Sequence, residues 1–113
     1  MNKQKIRDRI LSSVTMLTEP EIPSSCAEQG LRFEIHGNAA VPAFQIDADQ
    51  DRILPVMTEI LNLRPHDWSD LRILEWLTRP HLNFGCAPCD ALTDRPDEVL
   101  AAFRRAIVPP THG

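Results

Sequence analysis

Cys86-Ala87-Pro88-Cys89 is the densest grouping of reactive side chains in this 113-residue sequence. A C-x-x-C pair can serve thiol exchange or supply half of a zinc site. Four-coordinate zinc needs two further ligands; His81 and Cys26 are the candidates, with His112 as a spare. A structural zinc site normally brings a second ligand pair, and the sequence holds none. A thioredoxin-type dithiol needs a strand before it and a long helix after it, and residues 80–85 do not read as that strand. The plain reading is a pair of turn cysteines, with metal binding by Cys86 and Cys89 left open. His36, His66, His81 and His112 are scattered, and a catalytic base among them would need a nucleophile or carboxylate oriented beside it, for which no motif speaks. Asp47, Asp49 and Asp51 alternate like part of a calcium loop, but the Gly and distal Glu of that loop are missing. They suit turn and helix-cap chemistry instead. There is no Gly-rich phosphate loop, G-x-S-x-G or H-E-x-x-H. The expectation is a binding protein: no enzyme, no catalytic residue, no cofactor and no metal.

Composition narrows the class of partner. At 42% hydrophobic and 25% charged residues the chain reads as one ordinary globular domain with a small core. Its net charge of -4 and the absence of a basic stripe argue against nucleic acid, whose binders draw affinity from phosphate neutralisation. No apolar run is long enough for a bilayer span, and no apolar segment follows the basic N-terminus as in a signal peptide. Three cysteines without a secretory context suggest no disulfide framework. A cytoplasmic location is expected, with no membrane association.

The elements that would position these residues can be traced by periodicity. Ile6, Ile10, Val14 and Leu17 share one face of a helix over about 3–17. Residues 18–25, rich in Pro and Ser, read as a linker. Leu31 to Ile35 alternates as a half-buried strand, His36 to Ala39 reads as a turn with Gly37 and Asn38 at positive φ, and the return strand runs from about Ala40 to Ile46. Pro42 places that strand on an edge or weakens its pairing. Helices are expected over about 53–63, from an Asp67 N-cap to about Thr78, and from Pro96 to Ile107, with a short turn near 88–92. Trp76 falls in the apolar stripe of the second of these. Trp68, eight residues earlier at a similar angle, divides between packing at a helix start and interface contact. The fold class is mainly α with a small β-hairpin (α+β): a compact helical domain over 31–113, preceded by an N-terminal helix and linker over 1–30.

Val41-Pro42-Ala43-Phe44-Gln45-Ile46-Asp47, then Trp76-Leu77-Thr78-Arg79-Pro80, Phe84-Gly85-Cys86-Ala87-Pro88 and Val99-Leu100-Ala101-Ala102 follow one another in this order. Together they resemble the toxin-binding domain of the Xre/MbcA/ParS antitoxins, across about 31–107. The resemblance implies an antitoxin of a type II toxin–antitoxin pair. Its partner would be a RES-domain toxin that attacks NAD, and it would occlude the toxin's NAD site with its C-terminal helix and tail. Carried onto this chain, the partner-binding residues are Arg104, Arg105, Val108, Pro109, Pro110, Thr111 and His112, to which the aromatic reading adds Trp68. A homodimer is implied as well. Members often carry a helix-turn-helix before this domain. Here about 30 residues precede the hairpin, so DNA binding by this chain alone is not expected. The first helix would then mediate self-association or pack on its own domain. The alternative function is a toxin-free adaptor or regulatory module, for instance of a mobile element or against host defence. A transcriptional repressor subunit is a further rival.

Overall fold

Helix α1 (Lys3–Ser12) is followed by strand β1 (Met16–Thr18). Strands β2 (Phe33–Ile35) and β3 (Asn38–Pro42) come next, then β4 (Ile46–Asp47), β5 (Arg52–Ile53), and helices α2 (Pro55–Leu63), α3 (Asp70–Thr78) and α4 (Pro96–Ile107). The structure, a computed structural model, describes residues 3–23, 30–47, 49–81 and 85–108. Four helices and a small antiparallel sheet make this an α+β fold. No helix among the described residues is long and apolar enough to cross a membrane.

The first helix is shorter than its apolar period predicts. Ser12 Oγ and Ser13 Oγ donate to the carbonyls of Arg9 and Ile10, at 3.1 and 2.6 Å. Such local side-chain bonds compete with the helical ladder and end it there. Residues expected to continue the helix therefore turn into β1, which pairs antiparallel with β3 from Met16↔Pro42 to Thr18↔Ala40. The expected hairpin becomes a three-stranded sheet in the order β1-β3-β2. Helix α1 lies against α3 with Leu11 buried, and Arg7 donates to the Glu34 carbonyl at 2.8 Å. Residues 3–18 are thus built onto the body.

The hairpin turn is tighter than expected. His36 and Gly37 alone form the loop, both with positive φ (51° and 80°), and Asn38 already belongs to β3. Two positive-φ residues make the mirror-image turn whose twist matches the flanking strands. The long return strand is also corrected. It stops at Pro42, makes a 3-10 turn over Ala43–Gln45, and resumes as β4, which pairs with β5 across the acidic turn. There Asp47 accepts from the Asp49 N–H at 3.0 Å, the expected turn chemistry, but β5 intervenes before the helix.

Pro42 sits in the central strand rather than on an edge, and it is fully buried. Its missing donor is accommodated by register. The Ala43 N–H donates to Thr15 one step beyond the β1 pairing, at 2.9 Å. Bonded pairs alternate along an antiparallel ladder, so the Pro42 backbone faces the β2 side. Continuing the β2–β3 register by two residues sets Leu31 opposite Pro42. Proline has no N–H to offer there. Gln45 supplies the substitute: its Oε1 accepts from the Leu31 N–H at 2.8 Å, and its Nε2 donates to the Leu31 carbonyl at 3.0 Å. Its own carbonyl accepts from the Leu54 N–H at 2.8 Å, on the approach to α2. Gly30, at φ +76°, leaves room for this clamp, since a Cβ there would lie 2.6 Å from Oε1.

The core collects Leu31, Phe33, Met57, Ile60, Ile73, Leu74, Leu77, Val99 and Phe103, with α2 packed on α4. Pro55 opens α2 at its first turn, where its missing N–H costs nothing. Helix α3 is capped by Ser69, which accepts from the Arg72 N–H at 3.1 Å, rather than by Asp67. Asp70 ties its start to the body, accepting from the Arg32 N–H at 3.2 Å and pairing with Arg64.

Gln45→Leu leaves the buried N–H and C=O of Leu31 unpaired, and should cost about 2–4 kcal/mol in urea unfolding. Gly30→Ala should also destabilise. In a double-mutant cycle the Gly30→Ala and Gln45→Ala effects should sum to more than the double variant loses, because both act on one contact.

Candidate partner-binding site

Phe103 is fully buried on α4, and two tryptophans stand edge-on against it. Trp68 meets its ring at 5.6 Å between centroids and 84°, and Trp76 at 5.3 Å and 75°. Edge-to-face packing of this kind sets the positive ring edge against a negative face. The two tryptophans do not share a helix. Trp76 lies within α3, while Trp68 precedes the Ser69 cap in the turn after α2 and reaches Phe103 from there. Both are half-buried, so each packs on the core with one side and lines the surface with the other.

That surface is a shallow groove between α3 and the last turns of α4. Trp68 and Trp76 form its floor, Ala106 one wall, and Arg72, Glu75, Arg79 and His81 its rim. Arg72 lies over Trp68, its guanidinium carbon 4.1 Å from the ring centroid. Stacking leaves the N–H edges of a guanidinium free to meet a carboxylate. Arg79 pairs with Glu75 at 3.4 Å, one turn apart and exposed, a contact of small energetic weight. His81 closes the end of the groove, with its ring 5.0 Å from that of Trp76 and Nε2 3.3 Å from the Trp76 carbonyl.

Arg104 and Arg105, predicted from the sequence as partner-binding, occupy the last turn of α4 and are exposed. There they complement the helix dipole, while Asp97 and Glu98 do so at the first turn. Among the described residues no carboxylate pairs with Arg72, Arg104 or Arg105. Val108 follows the helix and is 59% exposed. Pro109, Pro110, Thr111 and His112 lie outside the described residues. The structure therefore places Trp68 in the groove, and the two arginines and Val108 at the adjoining helix end. Sequence reasoning missed Arg72, Trp76 and Arg79 as surface residues. The signal was present in their i, i+4 and i+7 spacing from Trp68 and Arg72, but the displaced helix start obscured it.

The cysteine pair is divided by its surroundings. Cys86 is held by a short bridge with His81, whose N–H donates to the Cys86 carbonyl at 3.2 Å, and its sulfur accepts from Arg95 at 3.5 Å. Cys89 lies in the 3-10 turn Pro88–Asp90. Burial, with the Asp90 carboxylate beside it, pushes its thiol from 9.0 up to about 11. Both cysteines are free thiols, and no group of three or more metal-ligating side chains forms among the described residues. Cys26, the proposed further zinc ligand, lies outside them, as does His112.

Comparison with protein-family models, curated proteins and solved structures finds no match to this chain.

Two outcomes test the site's chemistry. Phe103→Ala should cost about 3–5 kcal/mol of stability and change the fluorescence of both tryptophans. In a variant lacking Cys26 and Cys86, iodoacetamide should alkylate Cys89 about tenfold more slowly at about pH 8 than an ordinary thiol, the rate climbing with pH as the thiolate forms.

Proposed function

We propose that this chain is the antitoxin of a type II toxin–antitoxin pair, a dimeric binding protein that blocks the NAD site of a RES-domain toxin. The observation that carries this reading is the ordered set of segments resembling the Xre/MbcA/ParS toxin-binding domain, and their convergence in space. The 3-10 turn of the first segment, Ala43–Gln45, packs on the turn Pro88–Asp90, which starts at the last residue of the third, and α3, which contains most of the second, packs there too. The fourth begins at Val99, buried in the same core.

Two physical features support binding rather than chemistry. The half-buried tryptophans and stacked arginine of the groove are the residue types that dominate interface energetics. The end of α4 presents Arg104, Arg105 and an exposed Val108, a cationic and apolar tip fit to enter a pocket that holds an anionic dinucleotide. In this mechanism the tip excludes NAD sterically, and the arginines meet the groups that would otherwise contact its phosphates or ribose.

Co-expression with the adjacent reading frame tests the proposal. The neighbour alone should lower NAD and arrest growth; this chain should co-purify with it and restore both. Arg104→Glu with Arg105→Glu, or deletion of 108–113, should abolish rescue, while urea unfolding shows each variant folded: the double charge reversal at the end of α4 should cost no more than about 2 kcal/mol and the deletion about 0.5 kcal/mol. A neighbour that binds but is harmless points to the adaptor function, and a neighbour that neither binds nor harms overturns the antitoxin reading.

A further inference from the structure

The groove between α3 and α4 has a chemistry at odds with the chain as a whole. The protein carries a net charge of -4, yet the rim of this groove holds Arg72 and Arg79 against a single carboxylate, Glu75. That carboxylate is engaged with Arg79 at 3.4 Å. Arg72 is left with its face on Trp68 at 4.1 Å and with no carboxylate of its own among the described residues. Below this rim the floor is indole, flanked by the small side chain of Ala106.

We propose that this groove binds an acidic peptide segment of a partner protein, one that carries a proline or aliphatic anchor between its carboxylates. The anchor lies against the half-buried Trp76 ring, beside Trp68 and its covering Arg72, where an indole offers flat apolar surface at low entropic cost. A carboxylate on one side meets the Arg72 guanidinium, which rests over the Trp68 ring and can donate two parallel hydrogen bonds. A second carboxylate competes with Glu75 for Arg79. Steering by the rim raises the association rate at low salt and fades as salt screens it. The inference deepens the partner-binding function proposed above and rests on it only in taking the partner to be a protein. The acidic segment would then belong to the toxin, at a place separate from the pocket that the tip of α4 enters.

The groove carries its own reporter. The sequence contains two tryptophans and no tyrosine, and both tryptophans line the floor. Purified full-length protein is titrated with the synthetic peptide Asp-Glu-Leu-Pro-Glu-Asp, blocked at both ends, while intrinsic fluorescence is followed. A saturable change is expected, weakening as salt is added. Arg72→Gln combined with Arg79→Gln should raise Kd by about tenfold or more at low salt, while Arg52→Gln, the same charge change on β5, should leave it within about twofold. Urea midpoints establish that each variant is folded. The proposal is overturned if the peptide gives no saturable change, if a version with Lys at every acidic position binds equally, or if Arg52→Gln weakens binding as much as the rim pair. It is overturned too if short oligothymidine competes as well as the acidic peptide, which would assign the groove to nucleic acid, or if peptide binding tracks only a change in oligomeric state by light scattering. The titration needs no toxin, so its failure leaves the antitoxin reading standing, and failure of the co-expression test leaves the groove's acidic preference to be read independently.

Discussion

The carboxamide of Gln45 bonded to the backbone of Leu31 is the contact on which the rest of the structure depends. A buried amide pair left open costs the full desolvation of both groups, and here one side of the ladder cannot close it because Pro42 lacks a donor. Gln45 provides a donor and an acceptor at the right separation, 2.8 and 3.0 Å from Leu31, and it is itself fully buried. No buried side-chain polar atom is left unsatisfied among the described residues. The same residue turns the chain out of β3 and, through its own carbonyl, receives Leu54 just before α2. One side chain thereby joins the sheet to the helical layer. Gly30 is needed because no Cβ fits against that carboxamide.

From this junction the helices inherit their positions. Asp70 holds the first turn of α3 to the strand lead-in through Arg32 and to the end of α2 through Arg64. Helix α3 then carries Trp76 to the Phe103 ring on α4, and the turn before it delivers Trp68 to the other side. The groove is therefore an outcome of core packing: Phe103 fills the interior, and the outer flanks of its two aromatic neighbours become surface. A binding face built on such a cluster is preorganised, since the indoles lose little freedom when a partner covers them.

Some of this was legible in the residues alone. The α4 boundaries followed from Pro96 at the first turn, acids behind it and arginines at the end, local rules that tertiary contacts did not override. Pro55 at the start of α2 obeyed the same logic. The apolar period misled where it ran past its cause: Val14 and Leu17 continue the stripe of Ile6 and Ile10, but the backbone leaves the helix at Ser12 and Ser13. Likewise Asp67 and Ser69 are both good caps, and only the geometry of the turn after α2 selects the serine. The candidate site divided in the same way. Arg104, Arg105 and Trp68 stood out by type, whereas Arg72 and Arg79 became visible only once α3 was set beside α4.

The sequence by itself determined the α+β class, the proline-led starts of α2 and α4, and the absence of any recognisable catalytic motif, because those depend on residue type and short spacing. Tertiary structure alone decided that β1 joins the sheet, that Pro42 lies at its centre, and that Gln45 replaces the missing rung. It also decided that two tryptophans from different elements share one phenylalanine beneath a cationic rim. Each of these is a contact between distant segments, governed by register, by the satisfaction of buried backbone groups or by core packing, and none is written in a local pattern.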